Sequence, residues 1–201
     1  MNLESKLRKE LVAAAKSFGK SLDHIDPTAH PGKSESGNYP ERMISYYYIQ
    51  AISRALAPAS VFLELPVTGK LGQRMDNHID ALIFNDHDMV AAEFKVGWAQ
   101  SHWDALAKDL ARLQGPAARE VRKKFIDKRR RRSWIFLGTD CWRQNIANIV
   151  WKLGNPEKRR ALPAALGRAH RDYVTVWKDE GPGFDGYYLT WALLPFDKLR
   201  T

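Results

Sequence analysis

The chain has 201 residues, with 32 Lys and Arg against 23 Asp and Glu, a formal net charge of +9. That length suits one domain with a real core, and the basic balance favours polyanionic partners. A single cysteine, Cys141, excludes an internal disulfide and points to a reducing cytoplasm; no apolar run reaches the ~20 residues of a spanning helix, so no membrane partner is expected.

The first segment, "MNLESKLRKELVAAAKSFGK", places Leu3, Leu7, Leu11, Ala14 and Phe18 at helical spacing among mixed charges. It reads as an amphipathic helix ending near Gly19 rather than as the uninterrupted apolar stretch of a secretion signal. Residues 26–40 are rich in Pro, Gly and Ser and read as a loop. A second helix starts at Pro40, carries Glu41 in its first turn, and stops at Pro58. Ile44, Tyr48, Ala51, Ile52 and Ala55 give it an apolar face. A strand is expected over Ser60–Val67, followed by a glycine-bearing connection and a hairpin from Ile79 to Lys95. A third helix, Gln100–Gln114, puts Trp103, Leu106, Leu110 and Leu113 on one side before Gly115-Pro116 breaks it. Then come a very basic helix over 117–128, a strand over 133–140, and a helix from Cys141 closed by Gly154. Two last strands are expected at 172–177 and 186–194. The order α-α-β-β-β-α-α-β-α-β-β is that of a mixed α/β or α+β domain, a single domain over residues 1–201. Residues 1–39 form an N-terminal helix and loop, 40–139 the core, and 140–201 a C-terminal helix and strands.

The hairpin "IDALIFNDHDMVAAEFK" carries charges where a core strand should not. With the turn at Asn85-Asp86-His87-Asp88, antiparallel partners have numbers summing to 173. Asp80 then falls opposite Glu93, and Lys95 shares the face of Glu93. A one-residue slip would separate them. Two carboxylates side by side repel, and a divalent cation compensates them naturally. Hard oxygen donors suit Mg²⁺, which takes one or two carboxylates and completes its shell with water and phosphate. The bland alternative is an exposed charge cluster on a hairpin face. His78, one pleat away, reads as a polar strand residue.

The pattern Asp80, twelve residues, Glu93-Phe94-Lys95 resembles the PD-(D/E)xK nuclease superfamily, with Ile79 where the name pattern has Pro. The likeness covers about Pro40 to Thr139, roughly half the chain. It implies a restriction-endonuclease-like fold: a helix, a three-strand meander, a helix and a further strand in a mixed β-sheet flanked by helices. Here an extra N-terminal helix precedes it. The resemblance further implies that Asp80 and Glu93 hold Mg²⁺, for which Mn²⁺ substitutes, and that Lys95 assists the attacking water. A further acid from the preceding elements is common in the superfamily; Glu41 and Glu64 are the two candidates. Gln100 stands near a position where some subgroups carry Gln. Many members are dimers, so a homodimer is an admissible assembly.

Between Arg119 and Arg132, nine Lys and Arg stand against Glu120 and Asp127, a local net of +7. Arg122, Lys123, Lys128, Arg129, Arg130, Arg131 and Arg132, with Lys70 and Arg74 before the hairpin, are the expected nucleic-acid contacts. Trp98 and Trp103 flank the same region and are candidates to line a substrate groove, though aromatics more often fill cores. No Walker loop, Rossmann fingerprint, Cys-x-x-Cys, zinc spacing or nucleophile elbow is present. The expectation is a Mg²⁺-dependent nuclease acting on DNA. The alternatives are a nucleic-acid-binding module that does not cleave and an interaction subunit of a larger complex.

Overall fold

In the computed structural model, residues 2–25, 41–66, 78–95, 100–115, 132–141, 169–178 and 186–196 are described. The elements are α1 (Leu3–Ile25), α2 (Glu41–Ala55), β1 (Ser60–Pro66), β2 (His78–Phe84), β3 (Asp88–Lys95), α3 (Gln100–Gln114), β4 (Arg132–Cys141), β5 (His170–Trp177) and β6 (Tyr187–Pro195). The basic helix over 117–128, the helix over 142–154, the loop 26–40 and the connection 67–77 lie outside the described residues. Cys141, expected to open that second helix, instead ends β4, where it is fully buried against Tyr188 and Tyr173.

The amphipathic patterns translate directly into packing. Leu3, Leu7, Leu11, Ala14 and Phe18 of α1 and Ile44, Tyr48, Ala51 and Ile52 of α2 are buried in one cluster. The helix α1 does not stop at Gly19 but runs on to Ile25. The glycine serves contact rather than termination: a Cβ there would lie 2.6 Å from the carbonyl oxygen of Val176 in β5. A helix–strand approach that close admits no side chain.

Six strands form one sheet in the order β1-β2-β3-β4-β6-β5. Every neighbouring pair is antiparallel except β3 and β4, which run parallel. A parallel pair needs a crossover, and α3 lies in the chain that supplies it. The architecture is therefore mixed α/β, with α1 and α2 packed on one face and α3 on the other. Ala81, Ile83, Val90, Ala92, Phe94 and Phe136 join the α1–α2 cluster. Ile79, Leu82, Met89, Ala91, Ile135 and Leu137 join Leu106, Leu110 and Leu113 of α3. Among the described residues no helix is long and apolar enough to cross a membrane.

Two polar devices fix the sheet around the hairpin. At the turn, Asn85 Oδ1 accepts from the His87 and Asp88 amides at 2.8 Å each, and the Asn85 amide nitrogen donates to the Asp88 carbonyl at 3.0 Å. This is the local side-chain bonding that makes Asn a turn residue. Beside it, Asp88 accepts from Arg132 Nε at 2.8 Å, from a terminal guanidinium nitrogen at 2.7 Å and from Trp134 Nε1 at 2.9 Å. These bonds clamp the start of β3 to the start of β4.

Candidate functional site

The predicted hairpin register is the one observed. Ala81 pairs with Ala92, Leu82 with Ala91, Ile83 with Val90 and Phe84 with Met89. Each pair of numbers sums to 173, so Asp80 and Glu93 come next in line. There the ladder changes character. The Phe94 amide donates to Asp80 Oδ2 at 2.9 Å, so a side chain takes the place of a strand carbonyl. On the other side of β2, the register with β1 passes from Leu63↔Ala81 to Leu65↔Ile79. The residue between, Glu64, has a positive φ of 49°. A non-glycine residue in this region is strained, and such strain gathers at functional sites.

These irregularities shift the faces. Ile79 packs with the α3 cluster and Ala81 with the α2 cluster, so the alternation of β2 slips at Asp80. The expected simple sharing of one face by Asp80, Glu93 and Lys95 is accordingly modified. Glu93 and Lys95 do share a face, and both reach α3. Asp80 stands at the edge between the two faces. It lies 3.3 Å from His78 Nε2 and borders the α2 side together with Phe94.

Glu93 is the most constrained member. Its side chain is 0% exposed, and neither carboxylate oxygen accepts an aligned hydrogen bond. A terminal nitrogen of Arg112 on α3 lies 2.6 Å from Glu93 Oε1, an ion-pair contact whose N–H direction is off-line. Burial, then the charge of Asp80, push the Glu93 carboxyl up to about 9; Arg112 opposes this, while Asp109 and a hydrogen bond with Asp80 add to it. The orphaned oxygens and the raised value tell one story. As an anion Glu93 has only the off-line Arg112 guanidinium facing it, whereas as an acid its O–H can donate to Asp80. Lys95 Nζ lies 3.5 Å from Asp109 Oδ2, and Arg112 lies 3.0 Å from Asp109 Oδ1. The cluster thus runs from His78 through the adjacent carboxyls of Asp80 and Glu93 to Arg112, Asp109 and Lys95.

Asp109 and Arg112 were not anticipated from the sequence. Their signal was nevertheless present: each immediately precedes a buried leucine of α3, Leu110 or Leu113, and so flanks the apolar stripe that faces the sheet. Glu64 is exposed and borders the same cavity as Asp80. The side chain of Glu41 lies outside the described residues, although its backbone opens α2. Lys70, Arg74, Arg122, Lys123, Lys128, Arg129, Arg130 and Arg131 also lie outside them, as do the side chains of Trp98, Gln100 and Trp103. Arg132 is described, and its guanidinium is held by Asp88. Those hydrogen bonds first, and the Asp88 charge last, keep it protonated more firmly than usual.

Two neighbouring carboxylates, of which Glu93 has both oxygens buried without an aligned hydrogen bond, suit a small hard cation, and this donor chemistry fits Mg²⁺. Among the described residues no set of three His, Cys, Asp or Glu side chains converges to hold a metal ion. No protein-family model, curated protein or solved structure matches the chain.

Proposed function

We propose that the chain is a Mg²⁺-dependent nuclease of the PD-(D/E)xK type that hydrolyses phosphodiester bonds in DNA. The observation that carries this reading is Glu93: a fully buried carboxyl without an aligned donor, pressed against a second carboxylate on a strand that ends in Lys95. A carboxyl buried this deeply beside a second carboxylate, with only an off-line guanidinium facing it, is costly to hold as an anion, and a bound cation would offset that cost. The element order supports the restriction-endonuclease-like reading of the fold. The helix α2, the antiparallel meander β1-β2-β3, the helix α3 and the parallel strand β4 follow one another as the resemblance implies.

In this reading, Asp80 and Glu93 would hold the cation, which would supply a more acidic water and neutralise charge at the phosphate. Asp80 is oriented by the Phe94 amide and His78, so one of its oxygens is fixed before substrate arrives. To serve as a ligand Glu93 would have to release its proton to solvent, because its carboxyl is raised in the absence of a cation. Lys95 contributes positive charge beside the phosphate where negative charge develops, and Asp109 positions its ammonium. Arg112 steadies Glu93 when no other cation faces it.

One observation favours a second reading. Because Arg112 already supplies a countercharge to Glu93, the same cluster could be a self-neutralised core of a nucleic-acid-binding module. Incubation of the purified chain with supercoiled plasmid and with single-stranded DNA, in Mg²⁺, in Mn²⁺ and in EDTA, separates the two. The nuclease reading requires cutting that EDTA abolishes, whereas the module shifts DNA on a gel and cuts none.

A further inference from the structure

The site does not end at the carboxylates. A cavity of about 480 Å³ opens between α2 and the β1–β2 edge, lined by Arg42, Ser45, Tyr46 and Ile49 on one wall and by Leu63, Glu64, His78, Asp80 and Phe94 on the other. Its volume lies within the range of small-ligand sites. The α2 wall is a single stripe. Positions 42, 45, 46 and 49 follow the i, i+3, i+4, i+7 spacing, and the core-facing residues 44, 48, 51 and 52 occupy another side. An otherwise amphipathic helix thus presents two built faces, one to the core and one to the cavity.

The chemistry of that stripe is uneven in an informative way. Tyr46 is 55% exposed, yet it is held in place. Tyr47 meets it edge-on, with centroids 5.4 Å apart and planes at 79°, and the Gln50 amide donates to its hydroxyl. The result is a fixed, solvent-facing aromatic plate. Arg42, exposed, stands one turn toward the helix start. Ile49, Leu63 and Phe94 are the apolar lining, and Glu64, exposed and with a strained backbone, stands on the opposite wall. An aromatic plate, an apolar lining, a carboxylate acceptor and a guanidinium are the groups that receive a base face, a base edge bearing an amino group, and a phosphate. Asp80 belongs to both the cavity and the carboxylate pair, so an occupant adjoins the proposed cleavage site through Asp80, while Glu93 and Lys95 lie toward α3.

We propose that this cavity takes one unpaired nucleobase of the substrate strand, stacked on Tyr46, with its amino edge toward Glu64 and its phosphate toward Arg42. A base inside a duplex is stacked on both faces and cannot enter, so the substrate class is single-stranded DNA or a strand with an unpaired nucleotide at the site. This inference rests on the reading of the Asp80–Glu93–Lys95 cluster as one that acts on nucleic acid.

The test is fluorescence anisotropy with a labelled 20-nucleotide single strand and the blunt duplex of the same sequence, in EDTA so that no cutting occurs. The wild type is compared with Tyr46→Ala and Tyr46→Phe. The expected result is tighter binding of the single strand, weakened about tenfold by Tyr46→Ala, kept by Tyr46→Phe, with duplex binding unchanged in both variants. Unchanged duplex binding also shows that the exposed substitution leaves the fold intact. Equal single-strand binding by wild type and Tyr46→Ala, a loss shared equally by both DNAs, or no wild-type preference for the single strand overturns the proposal. The outcome is independent of cleavage. Tyr46-dependent binding without any Mg²⁺-dependent cutting would retain the base site and remove the nuclease reading, and cutting without Tyr46 dependence would do the reverse.

Discussion

Glu93 carries a proton into the folded state that it does not hold when unfolded. Its carboxyl rises from an ordinary 4.5 to about 9 on burial beside Asp80. A raised acid binds more protons in the native state across that window, so its contribution to stability is complete below about pH 4.5 and is lost as pH rises through about 9. The slope from one proton is at most about 1.4 kcal/mol per pH unit. Urea unfolding at pH 5, 7 and 9 should show the wild type losing stability relative to Glu93→Gln, which has no proton to surrender. Parallel pH profiles would contradict the burial argument. The same proton competes with a cation. Mg²⁺ affinity, read by calorimetry, is expected to tighten from pH 6 toward pH 9 with proton release, and Glu93→Gln is expected to abolish the pH dependence. A Kd that does not move with pH would remove Glu93 from the ligand set.

At the scale of elements, two contacts hold the helical layer on the sheet. The hydroxyl of Tyr48 on α2 lies 2.6 Å from the Thr139 carbonyl oxygen and 2.7 Å from that of Thr190, sharing its one proton between β4 and β6. Complete burial first, and the charge of Asp140 next, push this hydroxyl well above its ordinary value, so it stays a donor. Tyr48→Phe removes the hydroxyl that both carbonyls accept from and is expected to cost about 1–3 kcal/mol in urea unfolding. The second contact is Gly19 against Val176. Gly19→Ala forces a Cβ to 2.6 Å from a backbone oxygen and is expected to destabilise by about 1–3 kcal/mol, against the stabilisation that Ala normally brings to a helix interior. A neutral or stabilising Gly19→Ala would mean that α1 sits farther from β5.

These two residues also mark how far the sequence could be read. The apolar periods of α1, α2 and α3 and the 173 register of the hairpin were legible because each is a local rule with a fixed repeat. Gly19 was misread as a stop because a glycine at a helix end and a glycine beneath a crossing strand look alike along the chain. Only the tertiary neighbour distinguishes them. For the same reason the slip of faces at Asp80 was hidden. It coincides with Glu64, about sixteen residues earlier in the chain and opposite Asp80 in the β1–β2 register, adopting a left-handed backbone that its residue type does not advertise. Asp109 and Arg112 escaped because charges flanking an apolar helix stripe usually face water, and here the sheet brings them onto Glu93 and Lys95.

For the whole molecule, the carboxylate cluster, the adjoining cavity and the excess of basic charge take, in the proposed reading, three parts of one function: cleavage, base placement and attraction of the strand. The charge excess should appear in the salt dependence of DNA binding, with each phosphate contact adding about 0.9 to the slope of log affinity against log salt on duplex DNA. Neutralising Arg129, Arg130 and Arg131 together to Ala should flatten that slope without changing the pH behaviour of Glu93. An unchanged slope would assign the run to solvent. The central claim is nearer the chemistry, and one measurement reaches it: the rate of DNA cutting in Mg²⁺ by the wild type beside Glu93→Gln and Lys95→Ala, each first shown to unfold cooperatively. The account predicts cutting by the wild type, none in EDTA, and a loss of at least about a hundredfold in both variants. Undiminished cutting by Glu93→Gln and Lys95→Ala would place the chemistry elsewhere in the chain, and no cutting by the wild type on either plasmid or single strand would leave a binding module in its place.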